Sequence, residues 1–166
     1  MRKFLSAALI LCLMFLFGGC AAQTEAEPLE TRVSVRGDFK ITLSSMQSVY
    51  QSGENPELEL LVEYIGEGDE VTIYRGDPIG IIEIKTPDGD MATKTPDGEP
   101  AGYIIHDILM TDVIRKSEPV SIKWNADLFA ELEKGDYIAE AYVSFGTDEK
   151  LNDSIECTLE LPFSIQ

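Results

Sequence analysis

The amino-acid sequence predicts an all-β protein, an antiparallel β-sandwich with at most one short helix. Apolar and polar residues alternate with a period of two in several stretches, as they do in strands that bury one face. Turn signals such as SGEN, GEGD, RGDP and GTDE separate these stretches at short intervals. The pattern does not alternate strands with long helices, so a parallel α/β sheet is not expected.

The N-terminal segment has the pattern of an export signal. Two basic residues precede an uncharged apolar run over residues 4–17, and two glycines then lead to Cys20 in the string FGGC. The run is shorter than the roughly 20 apolar residues that a membrane-spanning helix needs. A cysteine directly after small residues resembles the lipobox of bacterial lipoproteins. The resemblance implies cleavage between Gly19 and Cys20 and a lipid on the Cys20 sulfur. A simple anchor helix or ordinary cleavage is the alternative.

Three regions of the chain follow from this pattern. Residues 1–19 are expected to be a lipoprotein signal peptide, and residues 20–31, which are polar and contain proline, a lipidated flexible tether. Residues 32–166 are long enough to form one β-sandwich domain with its own core. The lipid would place this domain at the extracytoplasmic face of a bacterial cell membrane.

The net charge narrows the classes of molecule that the domain could bind. The formal net charge is −17; removal of residues 1–19 takes two of the 13 basic residues and none of the 30 acidic ones, which leaves −19. Such acidity argues against a nucleic-acid partner, because nucleic-acid binding needs a basic surface.

The cysteine content predicts that the domain has no disulfide. Cys12 lies in the signal and Cys20 carries the lipid, so Cys157 is left as a free thiol without an intrachain disulfide partner.

Nine segments show strand patterns. The clearest are residues 56–66, where leucine and glutamate alternate, and residues 154–165, where the alternation places Cys157 on the inward face. We interpret Cys157 as a small buried hydrophobe rather than a reactive nucleophile, because His106 is the only histidine that could serve as its base. The predicted strands are residues 33–36, 39–44, 56–66, 70–74, 79–85, 103–110, 120–124, 136–145 and 154–165.

The string NADLFAELEKG predicts the one short helix. Asn125 is a good N-cap residue, and Leu128, Phe129 and Leu132 follow at helical spacing. Gly135 is suited to end the helix, which would then have one or two turns.

The pentapeptide KTPDG occurs twice, at residues 85–89 and 94–98. Proline sets φ for the second position of a turn, aspartate bonds nearby backbone, and glycine accepts positive φ. A calcium loop is the alternative, with Asp88, Asp90, Asp97 and Glu99 as oxygen ligands. The twelve-residue ligand spacing of an EF-hand is absent, so we interpret the two segments as turns and expect no metal.

The sequence carries no signature of an enzyme or of a cofactor site. It lacks the G-x-S-x-G, H-E-x-x-H and C-x-x-C motifs and a phosphate-binding glycine loop. We interpret His106 as a surface or hydrogen-bonded histidine rather than a metal ligand or base, and Trp124 as part of the sandwich core. The protein is therefore expected to be non-enzymatic.

Two parts of the chain resemble one family. Residues 49–78, VYQSGENPELELLVEYIGEGDEVTIYRGDP, contain a Y-x-x-G-E turn before an alternating strand and a G-D-E turn before the next. Residues 118–143 contain a strand that ends in Trp124 and a G-x-Y that opens another strand at Gly135. These features are similar to the BsuPI-type domain, named for a Bacillus intracellular proteinase inhibitor. The resemblance implies an immunoglobulin-like sandwich over residues 40–165.

Two functional hypotheses follow. The first is a lipid-anchored extracytoplasmic binding or scaffold module, whose partner is a protein or a polymer of the cell envelope. The alternative is a proteinase inhibitor of the BsuPI type that acts on an extracellular or membrane protease. Calcium or solute binding is a further, lesser possibility.

Overall fold

The computed structural model describes residues 30–102 and 106–166, and there the chain forms two β-sheets. The remaining residues, including Gly19 and Cys20, lie outside the described ranges. The strands are β1 (Glu30–Arg36), β2 (Phe39–Ser45), β3 (Val49–Tyr50), β4 (Leu58–Tyr64), β5 (Glu70–Lys85), β6 (His106–Arg115), β7 (Val120–Lys123), β8 (Gly135–Gly146) and β9 (Ser154–Ile165).

The predicted all-β class is confirmed. One sheet has the strand order β1-β2-β4-β7 and the other the order β3-β9-β8-β5-β6. Neighbouring strands run antiparallel except β3 and β9, which pair in parallel through Val49–Ser164 and Tyr50–Ile165. The departure from a purely antiparallel sandwich is thus confined to the two-residue strand β3, which the sequence analysis did not predict.

The core lies between the two sheets and follows from the period-two patterns. In β2 and β4 buried and half-buried residues alternate without interruption, and β8 alternates in the same way from Tyr137 onwards. Cys157 is 4% exposed on the inward side of β9, opposite Val143 of β8, so its predicted inward orientation is confirmed. The most completely buried large side chains are Phe39, Ile41, Leu43, Tyr50, Leu60, Ile73, Ile82, Ile84, Ile114 and Leu161.

Strand β5 is longer than the sequence pattern predicts. Residues 70–74 and 79–85 were predicted as two strands separated by a turn at RGDP, and this is wrong, because Glu70–Lys85 is one strand. The RGDP segment is instead a β-bulge: the register with β6 shifts between Arg75 and Asp77, and that with β8 shifts between Arg75 and Gly80. A bulge tolerates Pro78, which has no N–H to give to a ladder.

The boundaries of β6 and β1 also differ from the prediction. The predicted segment 103–110 begins in residues 103–105, which are not described, and β6 runs on to Arg115 because its second half pairs with the start of β5. There Ile114 lies opposite Val71 and is 1% exposed. Strand β1 covers Glu30–Arg36, whereas residues 33–36 were predicted, and Glu30 is the first residue that the structure describes.

The predicted helix is reduced to a single 3-10 turn, Ala126–Leu128. Asn125 caps it as predicted, since its side-chain oxygen accepts a hydrogen bond from the Asp127 N–H at 3.1 Å. Phe129 is already extended, with φ −126° and ψ 161°, so the helix does not continue. Tertiary contacts override the helical spacing here, because the Ala130 N–H donates to the Lys94 carbonyl at 2.8 Å.

Candidate functional site

Strand β6 exposes an unusual amount of apolar surface. It is the last strand of its sheet, so within the described part of the chain one side of its backbone pairs with no further strand. We call its exposed apolar side chains the β6 edge surface: Ile108, Leu109, Met110 and Val113, which are 62%, 55%, 38% and 37% exposed. A long, apolar, unpaired edge is a template for pairing with another chain.

A cavity of ≈ 420 Å³ adjoins the β6 edge surface. Tyr74 and Arg75 of β5 form one side, Ile108 and Leu109 another, and Leu151 closes it from the β8–β9 connection. Gly146 is required beneath Leu151, because a Cβ at residue 146 would lie 2.6 Å from the Leu151 Cδ2 atom. The cavity is therefore a groove that crosses the sheet from β9 through β8 and β5 and ends at β6, the strand with the free edge.

The two arginines near the β6 edge surface are already paired with carboxylates. Arg75, only 14% exposed, bonds to Asp112 at 3.0 Å and lies 3.6 Å from Asp77. The hydrogen bond from Arg75, and then the hydrogen bond from the Val113 backbone N–H, lower the pKa of Asp112 below its usual value. Arg115 lies 3.1 Å from Glu70 in the same way. The apolar side chains of β6 are therefore what this surface offers to a partner.

The opposite free edge of the sandwich, β1, is built differently. It also exposes two apolar side chains, Val33 and Val35, each 53% exposed. On the face that meets the second sheet it carries two charges, because Arg32 lies opposite Leu43 and Arg36 opposite Phe39. Inward-pointing charges of this kind protect an edge strand from pairing. In β6 the corresponding charge is Asp112, on the same face as the buried Ile114, and Arg75 of the neighbouring strand pairs with it. The three residues Ile108, Leu109 and Met110 carry no charge.

The two KTPDG segments form turns with the same hydrogen bonds, as predicted. In the first, the Thr86 N–H donates to the Asp90 carbonyl at 2.8 Å and the Gly89 N–H to the Thr86 carbonyl at 2.9 Å. The second repeats both bonds, with Gly98 bonded to Thr95 at 2.8 Å. The two glycines have φ of +91° and +88°, a conformation that favours glycine.

The acidic residues of these turns, Asp88, Asp90, Asp97 and Glu99, are exposed. Within residues 30–102 and 106–166, no three His, Cys, Asp or Glu side chains are grouped so that they could hold a metal ion. The interpretation of these four as solvated turn residues stays a prediction.

The remaining candidate residues are placed as follows. Trp124 is 8% exposed and stacks on Phe129, with ring centroids 5.8 Å apart and the planes 5° from parallel, so its interpretation as a core residue is confirmed. His106 is the first residue of β6 and lies opposite Asp77 in the register. Cys157 is a buried free thiol.

The β6 edge surface is a candidate site that the sequence analysis missed. The signal was present in the string ILM, three consecutive apolar residues in a strand, which a period of two cannot bury on a single face.

Comparison with known proteins supplies no family or function. No protein-family model matches the chain, and no curated protein is significantly similar to it. In the described part of the chain, no helix has the length and hydropathy to cross a bilayer.

Proposed function

We propose that this chain is a non-enzymatic, lipid-anchored binding module on the extracytoplasmic face of a bacterial membrane, and that it holds a partner protein by an extended segment along β6. The observation that carries the proposal is the β6 edge surface with its adjoining groove. The FGGC string supports the anchor, with Cys20 as the lipidated residue.

We further propose that the sandwich is of the immunoglobulin-like kind. Strand β4 pairs with β7 in one sheet, while β5, β8 and β9 lie side by side in the other. In immunoglobulin sandwiches the second and fifth strands pair in one sheet, and the third, sixth and seventh form the opposing sheet. Here β4 and β7 would correspond to the second and fifth strands, and β5, β8 and β9 to the third, sixth and seventh. The connectivity supports the resemblance to the BsuPI-type domain, whose implied alternative function is inhibition of a protease.

The free edge of β6 favours an extended partner because an added strand satisfies the unpaired backbone groups. Main-chain hydrogen bonds then give affinity, and pockets beside the edge select side chains at alternate positions. The groove begins at Leu109 and continues over Tyr74 to Leu151, so an apolar side chain of the added strand that reaches across β6 fits it. The exposed Ile108 and Met110 would be covered by the same strand.

The net charge adds a second property of the partner. The chain carries −17, and both arginines at this edge, Arg75 and Arg115, are already engaged by carboxylates. A basic segment would be steered towards this surface and an acidic one repelled. The partner segment is therefore extended, apolar at alternate positions and basic.

The test is a lysine in the β6 edge. Leu109→Lys would place an unpaired charge in the contact, whereas Val33→Lys places the same charge on the β1 edge at nearly equal exposure, 53% against 55%. Cells are extracted with a mild detergent and the extracts are separated on native gels. The molar mass of the purified complex is then measured by light scattering.

We expect the wild type and Val33→Lys to migrate in one complex with a second protein, and Leu109→Lys to migrate as the single chain. A Leu109→Lys protein that keeps the complex contradicts the proposal. A complex made of two copies of this chain contradicts it too, because the partner would then be the chain itself.

A further inference from the structure

Strand β1 is attached to the sandwich along one side. All seven of its residues pair with β2, from Glu30 opposite Ser45 to Arg36 opposite Phe39. It also passes beside β9, but within residues 30–102 and 106–166 no hydrogen bond or ion pair joins these two strands. Strand β2 pairs with β4 on its other side, so it would keep a neighbour if β1 came away.

The side chains of β1 add nothing to the buried core. None of the seven residues is buried, whereas every second residue of β2 is buried. The face of β1 that meets the second sheet carries Arg32, Ser34 and Arg36, and its two valines lie on the opposite face. Among the residues that the structure describes, the side-chain hydrogen bonds and the ion pair of β1 all stay within the strand itself.

The last strand of the chain shows the contrast. Strand β9 buries Cys157, Leu161, Phe163 and Ile165, so its removal would expose the core. Docking of β1 instead costs the conformational entropy of seven residues and gains main-chain hydrogen bonds at one edge, and these two contributions are of similar size. Strand β1 should therefore open at a free energy well below that of the whole sandwich, as weakly packed segments do.

A pull on the N-terminal end of β1 would break its hydrogen bonds one after another. Strands β1 and β2 form a hairpin closed by the turn at Gly37 and Asp38, so Glu30 lies at the open end. The Asp38 carbonyl accepts a hydrogen bond from the Ile65 N–H at 2.8 Å, which holds the closed end on the sandwich. Cys20 lies ten positions before Glu30 in the sequence, so tension on a lipid at Cys20 would reach the hairpin at its open end.

We propose that β1 is a detachable strand that lengthens the connection between the lipid anchor and the sandwich, while β2 to β9 stay folded. Release of residues 30–36 adds about 25 Å of extended chain. It also moves the attachment point from Glu30 to the turn at Gly37, about 20 Å away at the other end of the hairpin. The lengthening rests on the proposed anchor at Cys20, whereas detachment of β1 is a property of the domain alone.

Hydrogen exchange measures whether β1 opens by itself. The purified full-length chain is transferred to heavy water, and peptides that cover β1 and β4 are followed by mass spectrometry. We expect β1 to exchange before β4. The variant Ile84→Ala, at a fully buried residue of β5, should speed the exchange of β4 about a hundredfold and leave that of β1 unchanged.

Equal exchange of β1 and β4 in the wild type would overturn the inference. Acceleration of β1 together with β4 in Ile84→Ala would overturn it too, because β1 would then open only when the whole sandwich unfolds.

Pulling on single molecules tests the lengthening. One handle joins the chain before Glu30 and the other joins Gln166. We expect a first event that releases about seven residues, followed at higher force by unfolding of the sandwich. The matched variant is Thr31→Cys with Ser44→Cys, because these two positions lie opposite each other near the open end of the hairpin. A disulfide between them should abolish the first event, and reduction of the disulfide should restore it.

A single event that releases the whole chain, or a first event that persists in the oxidised variant, would overturn the inference. Neither measurement involves the lipid or the β6 edge surface. A failed anchor would therefore appear only in membrane fractionation of Cys20→Ala, and a failed partner site only with Leu109→Lys.

Discussion

Phe39 of β2 and Phe145 of β8 meet edge to face across the two sheets, with ring centroids 4.7 Å apart and an angle of 73° between the planes. They are 1% and 2% exposed, so the contact is dry. Edge-to-face pairs add to the free energy of burial because the positive ring edge meets the negative ring face. This pair links the two layers of the fold directly.

Truncation of this pair should be costly. Phe145→Ala is expected to lower the free energy of unfolding by about 3–5 kcal/mol, because it removes apolar contacts and leaves a cavity between the sheets. Urea unfolding followed by circular dichroism measures the change. Leu128→Ala, at a side chain that is 55% exposed, is the control and should stay within about 0.5 kcal/mol of the wild type. Similar losses in the two variants would mean that Phe145 is not in the core.

Tyr137 should make stability depend on alkaline pH. Burial, and then the charge of Glu133, raise the pKa of Tyr137 in the folded protein. A raised pKa contributes stability that is complete below the unfolded value, about 10 for tyrosine, and is lost as pH rises through the folded pKa. The free energy of unfolding of the wild type should therefore fall above about pH 10.

The matched variant is Tyr137→Phe. At pH 7 it should lose about 1 kcal/mol, because the 2.7 Å hydrogen bond from the Tyr137 hydroxyl to the Glu133 carbonyl is gone. Above pH 10 its free energy of unfolding should fall less than that of the wild type, as measured by urea unfolding at several pH values. A steeper fall in the variant than in the wild type would contradict the assignment.

The interiors of β2, β4, β8 and β9 could be predicted from the sequence because one face of each strand is buried and the other is solvated, which gives a strict period of two. The same rule failed at β5, where a bulge around Pro78 looks like a turn in sequence but leaves the strand continuous. The helical spacing after Asn125 also misled, because Phe129 stacks on Trp124 and the chain is extended there instead of helical.

The candidate site was less predictable than the fold. Exposure of Ile108 and Leu109 depends on β6 being last in its sheet, and strand order is a long-range property that no local pattern carries.

The doubled KTPDG turns should show no specific response to calcium. If Asp88, Asp90, Asp97 and Glu99 are solvated, calcium only screens charge, and magnesium or sodium chloride at equal ionic strength should match its effect on the melting temperature. A specific site would add about 2.7 kcal/mol at a hundredfold excess over Kd. A calcium-specific rise that disappears in the double variant Asp88→Asn, Asp97→Asn would show that the turns are a metal site.

The anchor is tested by one substitution. Cys20→Ala removes the sulfur that the lipid needs, so the variant should leave the membrane fraction or remain as an unprocessed precursor, while the wild type stays membrane-bound as a shortened chain. Fractionation with immunoblotting reads both properties. Two acyl chains are needed for stable anchoring, since each buried CH₂ contributes only about 0.8 kcal/mol. A processed Cys20→Ala protein that is as membrane-bound as the wild type would contradict lipidation.

The most direct measurement of the central claim is site-specific photo-crosslinking in living cells. A photo-reactive amino acid replaces Leu109 on the β6 edge or, as the control, Val33 on the β1 edge, and the crosslinked peptides are sequenced by mass spectrometry. The account predicts crosslinks from position 109, and not from position 33, to one segment of another protein that is basic and apolar at alternate positions. Equal crosslinking from both positions, or crosslinks from position 109 to a second copy of this chain, would contradict it.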